Sequence, residues 1–132
     1  MRFLLSFLLF VAAVAPLRVM GQGEHTKAHI KFEQTEYDFG EISRKGDDKS
    51  CTFRFVNDGT EPLVILSATT SCSCLKADFS RKPVAVGEGG EIVIHLESKK
   101  VDKGVFRRVV QIHSTSQGGT DILTIKGISN EL

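Results

Sequence analysis

No sign of charge predominates in this chain: 17 lysines and arginines stand against 16 aspartates and glutamates, for a net charge of +1 at pH 7. With its charges interspersed, the chain has no basic stripe to neutralise phosphates and no polybasic cluster for an anionic membrane surface. Nucleic acid is therefore excluded as a partner. Complete catalytic motifs are missing as well. No serine sits in a G-x-S-x-G turn, and Lys45-Gly46-Asp47-Asp48-Lys49-Ser50 lacks the glycine spacing of a phosphate loop. Asp38-Phe39-Gly40 matches the magnesium motif of kinases, but the glycine-rich loop, strand lysine and catalytic loop that must accompany it are absent. Asp47-Asp48 is one acidic pair in a turn, too little for calcium. Helical periodicity, internal repeats and linkers are lacking too. These absences point away from an enzyme and toward one domain.

Cysteine is scarce and odd in number. Cys51, Cys72 and Cys74 allow one intramolecular bridge at most, 51–72, 51–74 or 72–74, and leave one thiol over.

What is present begins with a leader. Met1-Arg2 is basic, Phe3 to Leu17 is almost wholly apolar, and Val19 and Gly21 supply small residues at the positions a signal peptidase tolerates. The apolar run is shorter than the roughly 20 residues of a spanning helix. Residues 1–21 therefore read as a signal peptide, with a disordered terminus over 22–27 and one domain over 28–132. No cysteine lies near the cleavage point, so no lipid anchor is expected, and no membrane span remains after cleavage. Losing Arg2 and Arg18 moves the net charge from +1 to −1. The destination is periplasmic or secreted, where disulfides persist.

The remainder alternates. Ile30 and Phe32 share a face, as do Tyr37 and Phe39, then Cys51, Phe53 and Phe55. Gly40 predicts a bulge or bend inside the second run. Leu63 to Ala68 is continuously apolar, while Lys76 to Lys82 looks irregular. Ile92, Ile94 and Leu96 face inward in the next strand, then Phe106, Val110 and Ile112, and finally Leu123 and Ile125. About seven short antiparallel strands separated by turn residues predict an all-β, immunoglobulin-like β-sandwich.

Several short motifs, in order, resemble one bacterial family. They are Asp38-Phe39-Gly40-Glu41-Ile42, Phe53 to Gly59 (F-x-F-x-N-x-G), Pro62-Leu63-Val64-Ile65 and Ser71-Cys72-Ser73-Cys74. Gly87-Glu88 with Ile92, Gly104 with Phe106, and Leu123-x-Ile125-x-Gly127 complete the series. Together they are similar to domain-of-unknown-function family 1573, exported immunoglobulin-like single domains common in Bacteroidetes. Ser73 stands where that family has glycine, Val86 where it has proline, and Cys51 is an addition. The resemblance implies the fold and no activity. The fold it implies is similar to the major-sperm-protein and pilus-chaperone modules, which bind other proteins.

Chemistry, if any, concentrates at Cys72-Ser73-Cys74. In an extended chain the two Cα atoms would stand about 6.5–7 Å apart with side chains on opposite faces, so a bridge needs a tight turn. In a loop, two thiolates one residue apart would suit Cu(I), whereas zinc would need a second pair. The alternatives at Cys72 and Cys74 are thus a structural role, a redox pair, or a copper site. Pairing β-runs across the Asn57-to-Pro62 turn would set Cys51 level with Ala68. His29, His95 and His113 alternate against core positions and face outward, so no shared histidine site is expected. Two functions follow. The first is an exported, non-enzymatic interaction or scaffold module that offers a sheet face or edge strand to a periplasmic or cell-surface protein, with Val64, Leu66, Val105 and Val109 as contact candidates. The second is a thiol-based redox or Cu(I)-binding protein.

Overall fold

The computed structural model describes residues 27–131. The leader expected over residues 1–21 lies outside them, as do residues 22–26 and Leu132. Of the terminal segment expected to be disordered, Lys27 is described, and its carbonyl accepts a hydrogen bond from Thr60 N at 3.1 Å.

Among the described residues, eight strands form two four-stranded sheets. They are β1 (Ile30–Phe32), β2 (Glu36–Ser43), β3 (Lys49–Asn57), β4 (Ile65–Thr69), β5 (Leu75–Phe79), β6 (Gly89–Leu96), β7 (Gly104–Ser114) and β8 (Thr120–Asn130). One sheet has the order β1-β3-β6-β5, the other β2-β8-β7-β4. The strand beyond the expected seven is β5, in the stretch read as irregular. Its apolar positions Leu75, Ala77 and Phe79 alternate with Lys76 and Asp78, but the run is only five residues long. Pairing is antiparallel except between β2 and β8, which run parallel.

The core is what the alternation dictates. Cys51, Phe53 and Phe55 turn inward from β3 against Ile92, Ile94 and Leu96 of β6, and Phe106, Val110, Ile112, Leu123 and Ile125 close it from the other sheet. Full burial of each such side chain contributes roughly 1.5–3 kcal/mol.

The β3–β4 hairpin that would set Cys51 opposite Ala68 does not form. β3 pairs with β1 and β6, whereas β4 crosses to the other sheet and pairs with β7. The turn itself is built for that crossover. The buried Asn57 side chain accepts from Gly59 N at 3.0 Å and His29 N at 3.3 Å, and donates to Glu61 O at 2.7 Å and Val84 O at 3.0 Å. Gly59 has no room for a side chain, since a Cβ there would stand 2.3 Å from Lys27 O.

The bulge expected at Gly40 is present. The β2–β8 register shifts between Asp38 and Glu41, Gly40 has φ +68°, and Asp38 Oδ1 accepts a hydrogen bond from Gly40 N at 2.7 Å. The Asp-Phe-Gly run is therefore a bend device. It brings Gly40 O over Gly127, whose missing Cβ leaves space for the Phe106 ring on the neighbouring strand. Phe55 lies over Gly90 in the same way in the other sheet.

Candidate functional site

β4 and β5 are edge strands of opposite sheets, and the chain passes from one to the other through Thr70 to Cys74. A tight turn there brings the cysteines together. Leu75 N donates to Cys72 O at 3.3 Å and Cys72 N to Thr70 Oγ1 at 3.3 Å. Cys72 and Cys74 are bridged, with their Cα atoms 5.2 Å apart. Of the three pairings open in the sequence, the shortest forms.

The two sulfurs are not equivalent. Cys74 is 1 % exposed and packs in the core, while Cys72 is half-buried and flanked by exposed Ser71 and Ser73. Only Cys72 is therefore open to solvent. Cys74 N donates to Cys72 Sγ at 3.3 Å, and Cys74 O accepts from Glu97 N at 2.8 Å, which ties the turn to the end of β6.

Cys51 is the free thiol, buried on β3, and burial pushes its pKa up to about 11. β3 is separated from β5 by β6, so Cys51 lies two strand spacings from that edge, about 9.6 Å, beyond the roughly 7 Å that a bridge spans. While the bridge is closed, neither Cys72 nor Cys74 is a thiolate. Among the described residues, no group of three or more His, Cys, Asp or Glu stands where it would hold a metal ion.

The described histidines, His29, His95 and His113, are half-buried, each with partners of its own. His29 Nδ1 meets Asp58 Oδ1, His95 Nε2 lies 2.7 Å from Asp78 Oδ2, and His113 lies between Thr69 and Thr120 hydroxyls at 3.2 and 3.1 Å.

A second feature has no local sequence signal. β4 pairs only with the last residues of β7, from Gln111 to Ser114, whereas β8 pairs with β7 from Gly104 to His113. Among the described residues, no strand pairs with residues 104–110 on the β4 side. Val105 on this open half-edge is 84 % exposed, with Arg107 and Val109 following on the same outward face. Where β4 peels away, Thr69, Thr70, Ser71, Val109 and Gln111 line a shallow depression of about 290 Å³. Of the four contact candidates, Leu66, Val105 and Val109 are exposed, and Val64 is half-buried.

The sequence pattern of the DUF1573 family, proteins of unknown function, matches residues 30–129. The chain belongs to that family. Its motifs now have positions. The F-x-F-x-N-x-G run is β3 with its Asn57-centred turn, and the S-C-S-C run is the bridged turn between two edge strands.

No curated protein matches this DUF1573 chain. Among solved structures, it is similar to a protein of unknown function from Porphyromonas gingivalis W83, at 18% identity and TM-score 0.65 over 76% of this chain and 46% of that one. The chain thus spans about half the length of that relative. It is similar to the ASH / PapD-like domain 7 of human CEP192, at 9% identity and TM-score 0.66, covering 86% of this chain and 94% of that one. It is also similar to part of the secreted serine protease VesC from Vibrio cholerae, at 12% identity and TM-score 0.56, covering 76% of this chain and 23% of that one. At these identities the likeness is one of fold. Among the described residues no helix is long and apolar enough to cross a membrane.

Proposed function

We propose that this domain is an exported, non-catalytic binding module that takes an extended segment of another periplasmic or cell-surface protein onto the open half-edge of β7. The observation that carries the reading is residues 104–110, paired with β8 on one side and, among the described residues, with no strand on the other. An unpaired edge is a template for strand addition, in which backbone hydrogen bonds supply affinity and alternate side chains supply selectivity. Export is supported by the apolar leader-like run at the N-terminus and by a disulfide, which persists outside the cytoplasm.

The edge also states its preference. A strand laid beside it would align side chains with Val105, Arg107 and Val109 on the outward face. Arg107 and Arg108 are adjacent, and their nearest carboxylates, Glu36 and Asp102, stand 3.6 and 3.7 Å away, too loose to neutralise them fully. The complement is a segment with an acidic residue between apolar ones. The two arginines also discourage indiscriminate edge-to-edge pairing.

Displayed peptides selected on the domain should carry that apolar–acidic–apolar alternation. Bound to isotope-labelled protein, they should move the amide resonances of Gly104 to Val110 and lose affinity in Arg107→Glu. Peptides that bind elsewhere, or bind equally well to Arg107→Glu, would overturn the reading.

A further inference from the structure

The bridged turn carries its own chemistry, independent of strand addition. We propose that Cys72 and Cys74 are a thiol–disulfide exchange pair, in which Cys72 is the sulfur that meets the partner and Cys74 the sulfur that resolves. The partner class is a disulfide, or in the reverse direction a dithiol, of another exported protein.

Access sets the roles. Cys74 is 1 % exposed, so an incoming sulfur reaches only half-buried Cys72. The Cys74 N–H that points at Cys72 Sγ stabilises negative charge on that sulfur, which favours Cys72 as the thiolate of the reduced pair. Cys74 has no route outward, but it stands next to Cys72 for an internal attack.

Opening the bridge leaves the fold in place. It closes a loop of only three residues, so it constrains the unfolded chain little and its loss is a small part of a domain's stability. The Leu75 N to Cys72 O and Glu97 N to Cys74 O hydrogen bonds do not involve sulfur and continue to hold the two residues together. Cys51 does not interfere, because it is buried and two strand spacings from β5. Ser71 and Ser73, both exposed, flank Cys72 and leave it open to an approaching polypeptide.

The exchange balances as follows. The Cys72 thiolate attacks one sulfur of the partner disulfide, the partner S–S bond breaks, and one partner sulfur leaves as a thiolate that takes a proton from solvent. Cys74 gives its proton to solvent and attacks Cys72 Sγ. The mixed disulfide breaks, the second partner sulfur leaves as a thiolate, and the Cys72–Cys74 bridge is formed. Two electrons pass from the pair to the partner disulfide, and the reverse sequence oxidises a partner dithiol.

Oxidised glutathione serves as the probe. Added to the reduced Cys74→Ser protein, it should give a stable adduct on Cys72. In Cys72→Ser the adduct on Cys74 should form at least about tenfold more slowly, because the buried thiol is shielded. Reduced wild type should return to the bridge without retaining adduct, with an unchanged far-ultraviolet circular dichroism spectrum. Comparable rates in the two variants, or wild type that accumulates adduct without closing the bridge, would overturn the proposal. Should either variant misfold, reduced wild type trapped with limiting iodoacetamide decides: Cys72 is labelled first if the proposal is right, and equal labelling refutes it.

Discussion

Replacing Asn57 by alanine tests the polar joint on which the crossover depends. The side chain is fully buried, and both lone pairs of its oxygen and both hydrogens of its amide are used, in four hydrogen bonds to Gly59 N, His29 N, Glu61 O and Val84 O. Alanine removes all four. Val84 O keeps its bond from Leu63 N at 2.9 Å, but the buried Gly59 N–H loses its partner. At about 1 kcal/mol for each of the four lost bonds, with about 1 kcal/mol more for the stranded N–H, the substitution should destabilise the domain by about 5 kcal/mol. Asn57→Asp is the sharper variant. Its carboxylate keeps the two accepted bonds but faces the carbonyls of Glu61 and Val84 with no hydrogen to give. Burial and those carbonyls raise its folded pKa above the unfolded value, so its stability is greatest when protonated and falls as pH rises through the carboxylate range. At neutral pH it should be at least as damaging as alanine, and partly recover in acid. The chain has no tryptophan and one tyrosine, so urea unfolding is best followed by circular dichroism. A loss below about 0.5 kcal/mol for Asn57→Ala would mean that water replaces these bonds freely, and would refute the reasoning.

Gly127→Ala should destabilise by about 1–3 kcal/mol, and more than Gly90→Ala, by urea midpoint. The added Cβ at Gly127 meets the Gly40 backbone oxygen at 2.8 Å as well as the Phe106 ring, whereas at Gly90 it meets only the Phe55 ring, which can move. Asp121 has its carboxyl pKa raised, chiefly by burial, with His29 opposing. A raised acid pKa means the protonated form suits the fold, so its penalty grows as pH rises past the ordinary carboxylate range. Asp121→Asn should therefore stabilise at pH 7 and have little effect in strong acid, as read from melting temperature across pH. Glu36 has its pKa lowered by its hydrogen bond to Lys126. Its contribution is present at neutral pH and lost as pH falls through the lowered value, so Glu36→Gln should flatten the acid limb of the stability curve. Native Cys51 should resist alkylation at pH 8, where its raised pKa keeps it a thiol, and react on unfolding. Labelling of the native protein at Cys51 would contradict its burial.

Much of this molecule follows from local pattern. Alternation in β3, β6, β7 and β8 places the core residues directly, because a period of two puts every second side chain on one face whatever the topology. The Asp38-Phe39-Gly40 bend was legible too, since only glycine takes φ +68° at ease. Partner choice among strands was not. Adjacent runs such as β3 and β4 suggest a hairpin, yet Asn57 and Gly59 send the chain to the other sheet, and that decision rests on contacts with residues 27–29 and Val84. β5 was hidden because its alternation is only five residues long and follows directly on the cysteine turn.

The same division applies to the candidate sites. The residue types and the spacing of Cys72 and Cys74 restricted the chemistry of the turn to sulfur, by covalent geometry alone. Which pair bridges, which sulfur is reachable, and that residues 104–110 of β7 have, among the described residues, no strand on the β4 side all depend on distances between segments far apart in the chain. Side-chain pattern along a strand is a local property, whereas burial and strand pairing are set by what packs against it, and only the assembled sandwich supplies that.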